Sequence, residues 1–292
     1  MELAPAVPLE LRTARGLVRL DRPAVVGILN VTPDSFWDGG RLAGVDAAVD
    51  LVERMLEQGA DFIDVGGEST RPGAAAVDAA VETERVVPVI DAITRRWPHV
   101  AVSVDTVKSD VARAALDAGA AIINDVSGLR LDPALGDVAA ATGAGLILMH
   151  SRGGVDRMAR YELASYGADC VADVRAELEQ ALARARAAGV PADAIVLDPG
   201  LGFAKRTEHS LALIAGLDRI VELGCPVLVG PSRKRFIGDA GGGRPADERL
   251  EGTLAACVAA LFNGARLFRV HDVAAVRRTL DVADAVLRAG DA

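Results

Sequence analysis

"LEQGADFIDVGGE", residues 56 to 68, carries a helix-like run into a glycine and passes at once into an apolar strand. The same spelling recurs in "LDAGAAIINDVSG" (116–128), "ATGAGLILMHSRG" (141–153) and "LFNGARLFRVHDV" (261–273). Glycine suits the left-handed residue that closes a helix, so each copy reads as helix end, tight turn and buried strand. Two looser relatives, "AAGVPADAIVLDPG" (187–200) and "ELGCPVLVGPS" (222–232), follow the same logic with proline marking the helix exit. Adding the strands around "AVVGILNV" (24–31) and "VAVSVDT" (100–106) makes eight apolar strands, near residues 25, 62, 100, 122, 146, 195, 226 and 267. Between them lie amphipathic stretches such as "DAAVDLVERMLEQ" (46–58), "SDVARAALDA" (109–118) and "ADVRAELEQALARARAA" (172–188), apolar at helical spacing.

Strands that are apolar on both faces and alternate with helices form a parallel sheet covered by helices. For eight of them in a chain of 292 residues the simplest α/β solution is a closed (β/α)8 TIM barrel. A doubly wound open sheet is the alternative, because connectivity does not by itself prove closure. No Pro/Ser-rich linker or composition break splits the chain, so residues 25–289 are expected to be one barrel domain and residues 1–24 an N-terminal extension. "GDAGGGRPADERLEGT" (238–253) is rich enough in glycine for a boundary, but it falls inside the seventh strand-to-helix connection and reads as a mobile loop.

Composition narrows the function. A net charge of −9 and a pI near 5.0 argue against nucleic acid or an anionic membrane as a partner, since phosphate contacts need a basic surface. Three cysteines, Cys170, Cys225 and Cys257, stand far apart without CxxC spacing, which favours a reducing cytoplasm over a disulfide framework. The opening residues lack a signal-peptide pattern and no apolar run approaches a membrane span, so a soluble cytoplasmic protein is expected. Neither GxxxxGK[ST], GxGxxG after a first strand, HExxH nor GxSxG occurs, which removes support for P-loop, dinucleotide, zincin and serine-hydrolase chemistry.

In a barrel of this type the active site is built at the carboxyl ends of the strands. There the sequence places Asn30, Gly67-Glu68-Ser69-Thr70-Arg71, Asp105, Asn124-Asp125, His150, Asp198, Ser232-Arg233-Lys234, and Arg269 with His271-Asp272. Asp105, Asn124, Asp198 and Lys234 converge from several strands with the donors and acceptors that suit a flat, multiply hydrogen-bonding heterocycle. Paired carboxylates acting as general acid and base remain an alternative. Ser232, Arg233, Lys234, Arg269 and His271 follow the seventh and eighth strands, the usual phosphate-binding place of this architecture. Asn30 ends the neighbouring first strand, and its amide oxygen is a hard ligand for a Mg²⁺ that bridges substrate phosphates. Each residue also has a plainer reading: Ser109 and Asp110 start a helix, Glu68 and Glu82 are solvated or capping acids, His271 is a satisfied partly buried histidine, and Arg233-Lys234 is a solvated helix start. Polar residues at all eight strand ends are what capping alone does not explain.

The stretches "GILNVTPDSFWDGG" (27–40), "FIDVGGESTRPGA" (62–74), "VSVDT", "AAIINDVSG", "LMH", "VLDPGLGFAK", "SRKRFIG", "RLEGT" and "RVHDV", in that order, resemble the dihydropteroate synthases, the pterin-binding barrel enzymes of folate biosynthesis. The resemblance covers about Val25 to about Val286. It implies a transferase that joins (7,8-dihydropterin-6-yl)methyl diphosphate to 4-aminobenzoate, with Mg²⁺ on Asn30. It implies a pterin site of Asp105, Asn124, Met149, Asp198 and Lys234, and a diphosphate site of Thr70, Arg269 and His271. Phe36, Arg71, Pro72, Phe203 and Ser232 would border 4-aminobenzoate, and Asp38, facing the site, would serve catalysis together with Asp105, Lys234, Arg269 and His271. Residues 32–40 would be a lid shaped by Pro33 and hinged at Gly39-Gly40, excluding water from a cationic intermediate. A homodimer is implied as well. Trp37 and Ser151 depart from the usual pattern without removing a chemical group.

Three other functions compete. A pterin-dependent methyltransferase barrel would be expected to lack the SRK, RVHD and NVTPDSF motifs, all present here. A non-catalytic pterin-binding homologue keeps the motifs without the reaction. An aldolase or isomerase barrel would want a Schiff-base lysine or a glutamate base at a strand end; Lys234 is the strand-end lysine, with Arg233 beside it as a cation to lower its pKa.

Overall fold

The computed structural model describes residues 10–32, 41–69 and 76–290. The chain enters through an antiparallel hairpin, β1 (Glu10–Thr13) and β2 (Gly16–Arg19). Eight parallel strands follow: β3 (Ala24–Asn30), β4 (Phe62–Gly66), β5 (Ala101–Asp105), β6 (Ile122–Asp125), β7 (Gly145–Met149), β8 (Ile195–Asp198), β9 (Leu228–Val229) and β10 (Leu267–Val270). Their spatial order is β8-β7-β6-β5-β4-β3-β10-β9, with helices in the connections. The two ends of that series meet through a parallel bridge between Leu197 and Val227, so the sheet is a nearly closed (β/α)8 barrel rather than an open doubly wound sheet. The closing strand is short for a local reason: Pro226 and Pro231 flank it, and proline has no N–H to give the ladder.

The repeated spelling behaves as its chemistry requires. Gly59, Gly119, Gly143 and Gly264, which end helices before β4, β6, β7 and β10, have φ between 68° and 103°. Each strand then alternates, with Val102 and Val104 of β5 packed outward against the helices while Ala101, Ser103 and Asp105 point inward. The inward row changes character along the strand. At the entry end Ala24, Val26, Phe62, Ala101, Ile122, Ile147, Val196, Leu228 and Leu267 form a buried apolar plug. Further up the same rows come Asp64, Ser103, Asn124 and Arg269, and then Asn30, Asp105 and Asp198. Apolar burial at one end stabilises the barrel and leaves the other end to carry polar groups.

The hairpin seals the entry end. Leu11 and Leu20 are fully buried in the plug, and the Ala14 N–H donates to the Ala121 carbonyl at 3.1 Å. A Cβ on Gly145 would lie 3.2 Å from the Arg12 carbonyl oxygen, so β7 begins with the residue that lets the hairpin approach. Arg12 pairs with Asp193 and Arg15 reaches the carbonyls of Pro98 and Gly119, fastening the hairpin at its rim. "GDAGGGRPADERLEGT" leaves the helix Arg235–Ala240, passes through exposed residues and a single 3-10 turn, Ala246–Glu248, and enters the helix Leu250–Phe262. Among the described residues no helix is long and apolar enough to cross a membrane.

Candidate active site

The deepest polar group in the barrel is Asp64, whose carboxylate is fully buried on the inward row of β4. Ser103 donates to it at 2.5 Å, the Asn124 amide at 3.1 Å and the Arg269 Nε–H at 2.5 Å. Arg269 also donates through Nη to Asp105 at 2.7 Å. Burial works against the Arg269 charge, but the two carboxylates outweigh it and hold the guanidinium more firmly protonated. Sequence reasoning found Arg269, Asp105 and Asn124 and missed Asp64. Its signal was one acid at an inward position of an otherwise apolar strand, in phase with Phe62 and Gly66.

One level higher, Asn30, Gly66 and Asp105 lie side by side in register across β3, β4 and β5. A Cβ on Gly66 would stand 3.5 Å from the Asp105 Cβ and 3.7 Å from Asn30 Oδ1, so glycine here keeps a small oxygen-lined space open. Burial raises the Asp105 carboxyl above its ordinary range, and Arg269 opposes that rise. The Asn30 amide oxygen fits a hard cation such as Mg²⁺, which takes oxygen ligands and retains waters. Among the described residues there is no cluster of three or more His, Cys, Asp or Glu side chains able to hold a metal.

On the opposite wall Asp198 ends β8, paired in register with Met149 of β7. Its carboxylate accepts the Gly200 N–H at 2.7 Å, and burial raises its pKa while Lys234 works to lower it. Lys234 donates to the Leu201 carbonyl and sits 4.1 Å above the Phe203 ring centroid. Burial pulls its pKa down to about 8; Asp198 and Asp105 resist and Arg269 assists. Arg233, expected as a cation able to lower that pKa, has turned away. It adopts φ 57° and forms a bidentate pair with Asp272 at 2.6 and 3.0 Å. Phe203 packs on a small apolar cluster of Val107, Val126, Met149 and Met158, which walls one side of the mouth.

At the end of β10 the His271 N–H donates to Ser232 Oγ at 3.2 Å, and Ser232 Oγ lies 3.0 Å from His271 Nδ1. The structure therefore brings Asn30, Asp105, Asn124, Met149, Asp198, Phe203, Ser232, Lys234, Arg269 and His271 to the carboxyl ends of the strands. Phe36, Asp38, Thr70, Arg71 and Pro72, and with them Trp37 and residues 33–40 of the lid, lie outside the described residues.

Other expectations are corrected. Asp125 faces its own turn, accepting the N–H groups of Ser127 and Leu129. Glu68 and Glu82 are not solvated acids: Lys108 bridges both, Glu82 is fully buried, and Glu68 also accepts the Val77 N–H. His150 lies in a buried network with Lys205 and Glu177 behind the mouth. Ser151 is buried and donates to the Val126 carbonyl at 2.7 Å. Ser109 does begin the helix Ser109–Asp117.

Fold and mouth together define a barrel enzyme whose charge-paired pocket opens at the carboxyl ends of its strands. The family model described as pterin binding enzyme matches residues 26–271, and the chain belongs to that family. The dihydropteroate synthase of Mycobacterium leprae (strain TN) is 46% identical over 271 residues, covering 91% of this chain and 94% of that one. Among solved structures, Xanthomonas albilineans dihydropteroate synthase with 4-aminobenzoic acid superposes with a TM-score of 0.86 at 44% identity, over 95% of this chain and 98% of that one. The same enzyme in complex with 7,8-dihydropteroate gives a TM-score of 0.83 at 39% identity, over 96% and 99%.

Proposed function

We propose that the chain acts as a dihydropteroate synthase, condensing (7,8-dihydropterin-6-yl)methyl diphosphate with 4-aminobenzoate to give 7,8-dihydropteroate and diphosphate. The observation that carries this is the pocket in which Arg269 is clasped between Asp64 and Asp105, with Asn124 below and Asp198 and Lys234 opposite. Its buried carboxylates, amide and lysine match the alternating donors and acceptors of a pterin edge, and relatives of this length and similarity bind the amine and the product.

In this reading Asp105, Asn124, Asp198 and Lys234 hold the pterin ring, with Met149 beneath it. The bond between the pterin methylene and the diphosphate oxygen breaks heterolytically, and both electrons leave with the diphosphate. Arg269 and His271, with Thr70, receive the departing charge. Asp105 stabilises the positive charge left on the pterin methylene. Phe203, Ser232, Phe36, Arg71 and Pro72 border the arylamine, whose nitrogen forms the new bond and then releases a proton to solvent; being a nucleophile already, it needs no strong base. Asp38 and the lid keep water from the cation. Mg²⁺, when bound, would be held by Asn30 and would neutralise charge on the diphosphate.

Folded protein given the pterin diphosphate, 4-aminobenzoate and Mg²⁺ should release dihydropteroate and diphosphate in equal amounts. No product from folded protein would sink the synthase reading in favour of a non-catalytic pterin-binding homologue.

A homodimer and a cytoplasmic location belong to the same proposal. The helices Leu250–Phe262 and Val273–Gly290 share an apolar groove lined by Leu254, Val258, Phe262, Val282 and Val286, in which Phe262, Val282 and Val286 are exposed. A second copy covering that groove would remove the patch from water. Sedimentation should give a dimer that Val282→Glu converts to monomer. All three cysteines are buried free thiols, as a reducing compartment allows.

A further inference from the structure

Lys205 is a buried long cation beside the barrel mouth that the reaction above does not use. It is 1% exposed. Its ammonium donates to His150 Nδ1 at 2.8 Å and to the Phe203 carbonyl at 3.0 Å, with the His150 carbonyl at 3.4 Å. Among the described residues no carboxylate lies within ion-pair distance of it. Burying an ammonium without a paired anion costs several kcal/mol, and methionine would fill the same volume without that cost. Burial accordingly pulls the Lys205 pKa down to about 7.

The arrangement continues outward. Because Nδ1 accepts from Lys205, the His150 proton sits on Nε2 and is donated to Glu177 at 3.0 Å. Burial, followed by the Lys205 charge, holds the imidazole neutral, with a pKa of about 4. Glu177 is in turn gripped by Arg152, whose guanidinium stacks 4.1 Å from the Tyr166 ring. Tyr166 closes the circuit by donating its hydroxyl to the Ala204 carbonyl at 3.0 Å. Two consecutive carbonyls, those of Phe203 and Ala204, are thus held by donors from the same network, and Ala204 sits in the left-handed region at φ 47°. Ala204 also donates its N–H to the Met158 carbonyl at 2.6 Å. A left-handed alanine costs about 1 kcal/mol and persists only where its surroundings hold it.

From this geometry we infer that Lys205 is a positioning residue for the arylamine site: through His150 and Glu177 it fixes the backbone that presents Phe203. The inference rests on the dihydropteroate synthase reading, in which Phe203 borders 4-aminobenzoate. Lys205 touches no substrate. It acts by holding one wall of the amine site, while the Asn124, Asp64, Arg269 and Asp105 contacts across the pterin pocket are made without it.

The test compares Lys205→Met and Glu177→Gln with the unaltered enzyme in steady-state kinetics, varying each substrate in turn. Lys205→Met should raise KM for 4-aminobenzoate about tenfold while KM for the pterin diphosphate stays within about twofold. Glu177→Gln, which loosens the far end of the network, should shift the same constant in the same direction by a smaller factor. Lys205→Arg, which keeps a charged donor, should recover part of the loss. Unchanged constants, or equal rises for both substrates, overturn the inference. Should Lys205→Met fail to fold, Glu177→Gln decides: a selective rise in the amine KM supports the role, and no selectivity overturns it. Failure of the unaltered chain to form dihydropteroate is a separate result and strikes the synthase reading itself.

Discussion

Arg269 on the last barrel strand and Asp64 on the second are joined by a 2.5 Å hydrogen bond in the interior of the ring, between residues 205 positions apart in the chain. Asp64 is fully buried and also receives Ser103 and Asn124, so its charge is satisfied from three strands at once. Asp64→Asn removes that charge and leaves Arg269 with Asp105 as its remaining carboxylate. Breaking one side of a buried ion pair costs about 3 kcal/mol or more. Urea unfolding should show a loss of that size, and calorimetric titration with a pterin should show weaker binding. A variant as stable as the parent would mean that Asp64 carries no net charge interaction.

Removal of Arg269 separates anion binding from ring binding. Arg269→Ala should weaken binding of the pterin diphosphate about tenfold or more beyond its effect on a bare pterin, a difference of about 1.4 kcal/mol. Alanine also leaves Asp64 and Asp105 without their shared cation, so Arg269→Lys, which keeps the charge but lacks the two-pronged geometry, is the companion variant. Equal losses for both ligands in both variants would contradict an anion-binding role.

The His150 network sets an acid limit on stability. The ring titrates near 6.5 when unfolded and near 4 when folded, because burial disfavours its cation. The neutral form therefore contributes stability that is present above 6.5 and is lost as pH falls towards 4. Glu177, which His150 and Arg152 hold down to about 2 against the opposing effect of burial, adds a contribution present above 4.5 and lost as pH falls towards 2. His150→Gln should flatten the fall in unfolding free energy between 6.5 and 4, measured by urea titrations across that range. A slope unchanged by the substitution would place the acid sensitivity elsewhere.

The hairpin at the entry end contributes to stability and not to chemistry. Leu11 is fully buried in the lower plug, and Leu11→Ala should cost about 3 kcal/mol by leaving a cavity there. KM for both substrates should stay unchanged, since the mouth lies at the other end of the strands. A rise in either constant would show that the plug is coupled to the site.

The local chemistry of the chain made the barrel legible. Glycine-closed helices running into two-faced apolar strands specify a parallel α/β repeat, and the polar residues fall at the strand ends because the strand period itself places them there. Asp105, Asn124, Asp198, Lys234 and Arg269 were readable for that reason. Asp64 was not, because it lies in mid-strand, where an acid reads as an interruption of an apolar run until its inward partners are known. Glu82 and Lys205 were equally opaque: each reads as a surface residue in the linear order and is buried only in the folded chain.

The repeat and the strand-end residues thus determined by themselves a parallel α/β fold with its polar residues at the carboxyl ends of the strands, and the ordered motifs carried the resemblance to the family; closure of the barrel was left to the tertiary structure. Tertiary structure alone decided which charges meet. Ion pairing in a barrel depends on neighbours across the ring, and Arg269 faces Asp64 only after the sheet has curved back on itself, just as Lys205 finds His150 only when the loop after β8 folds against the end of β7.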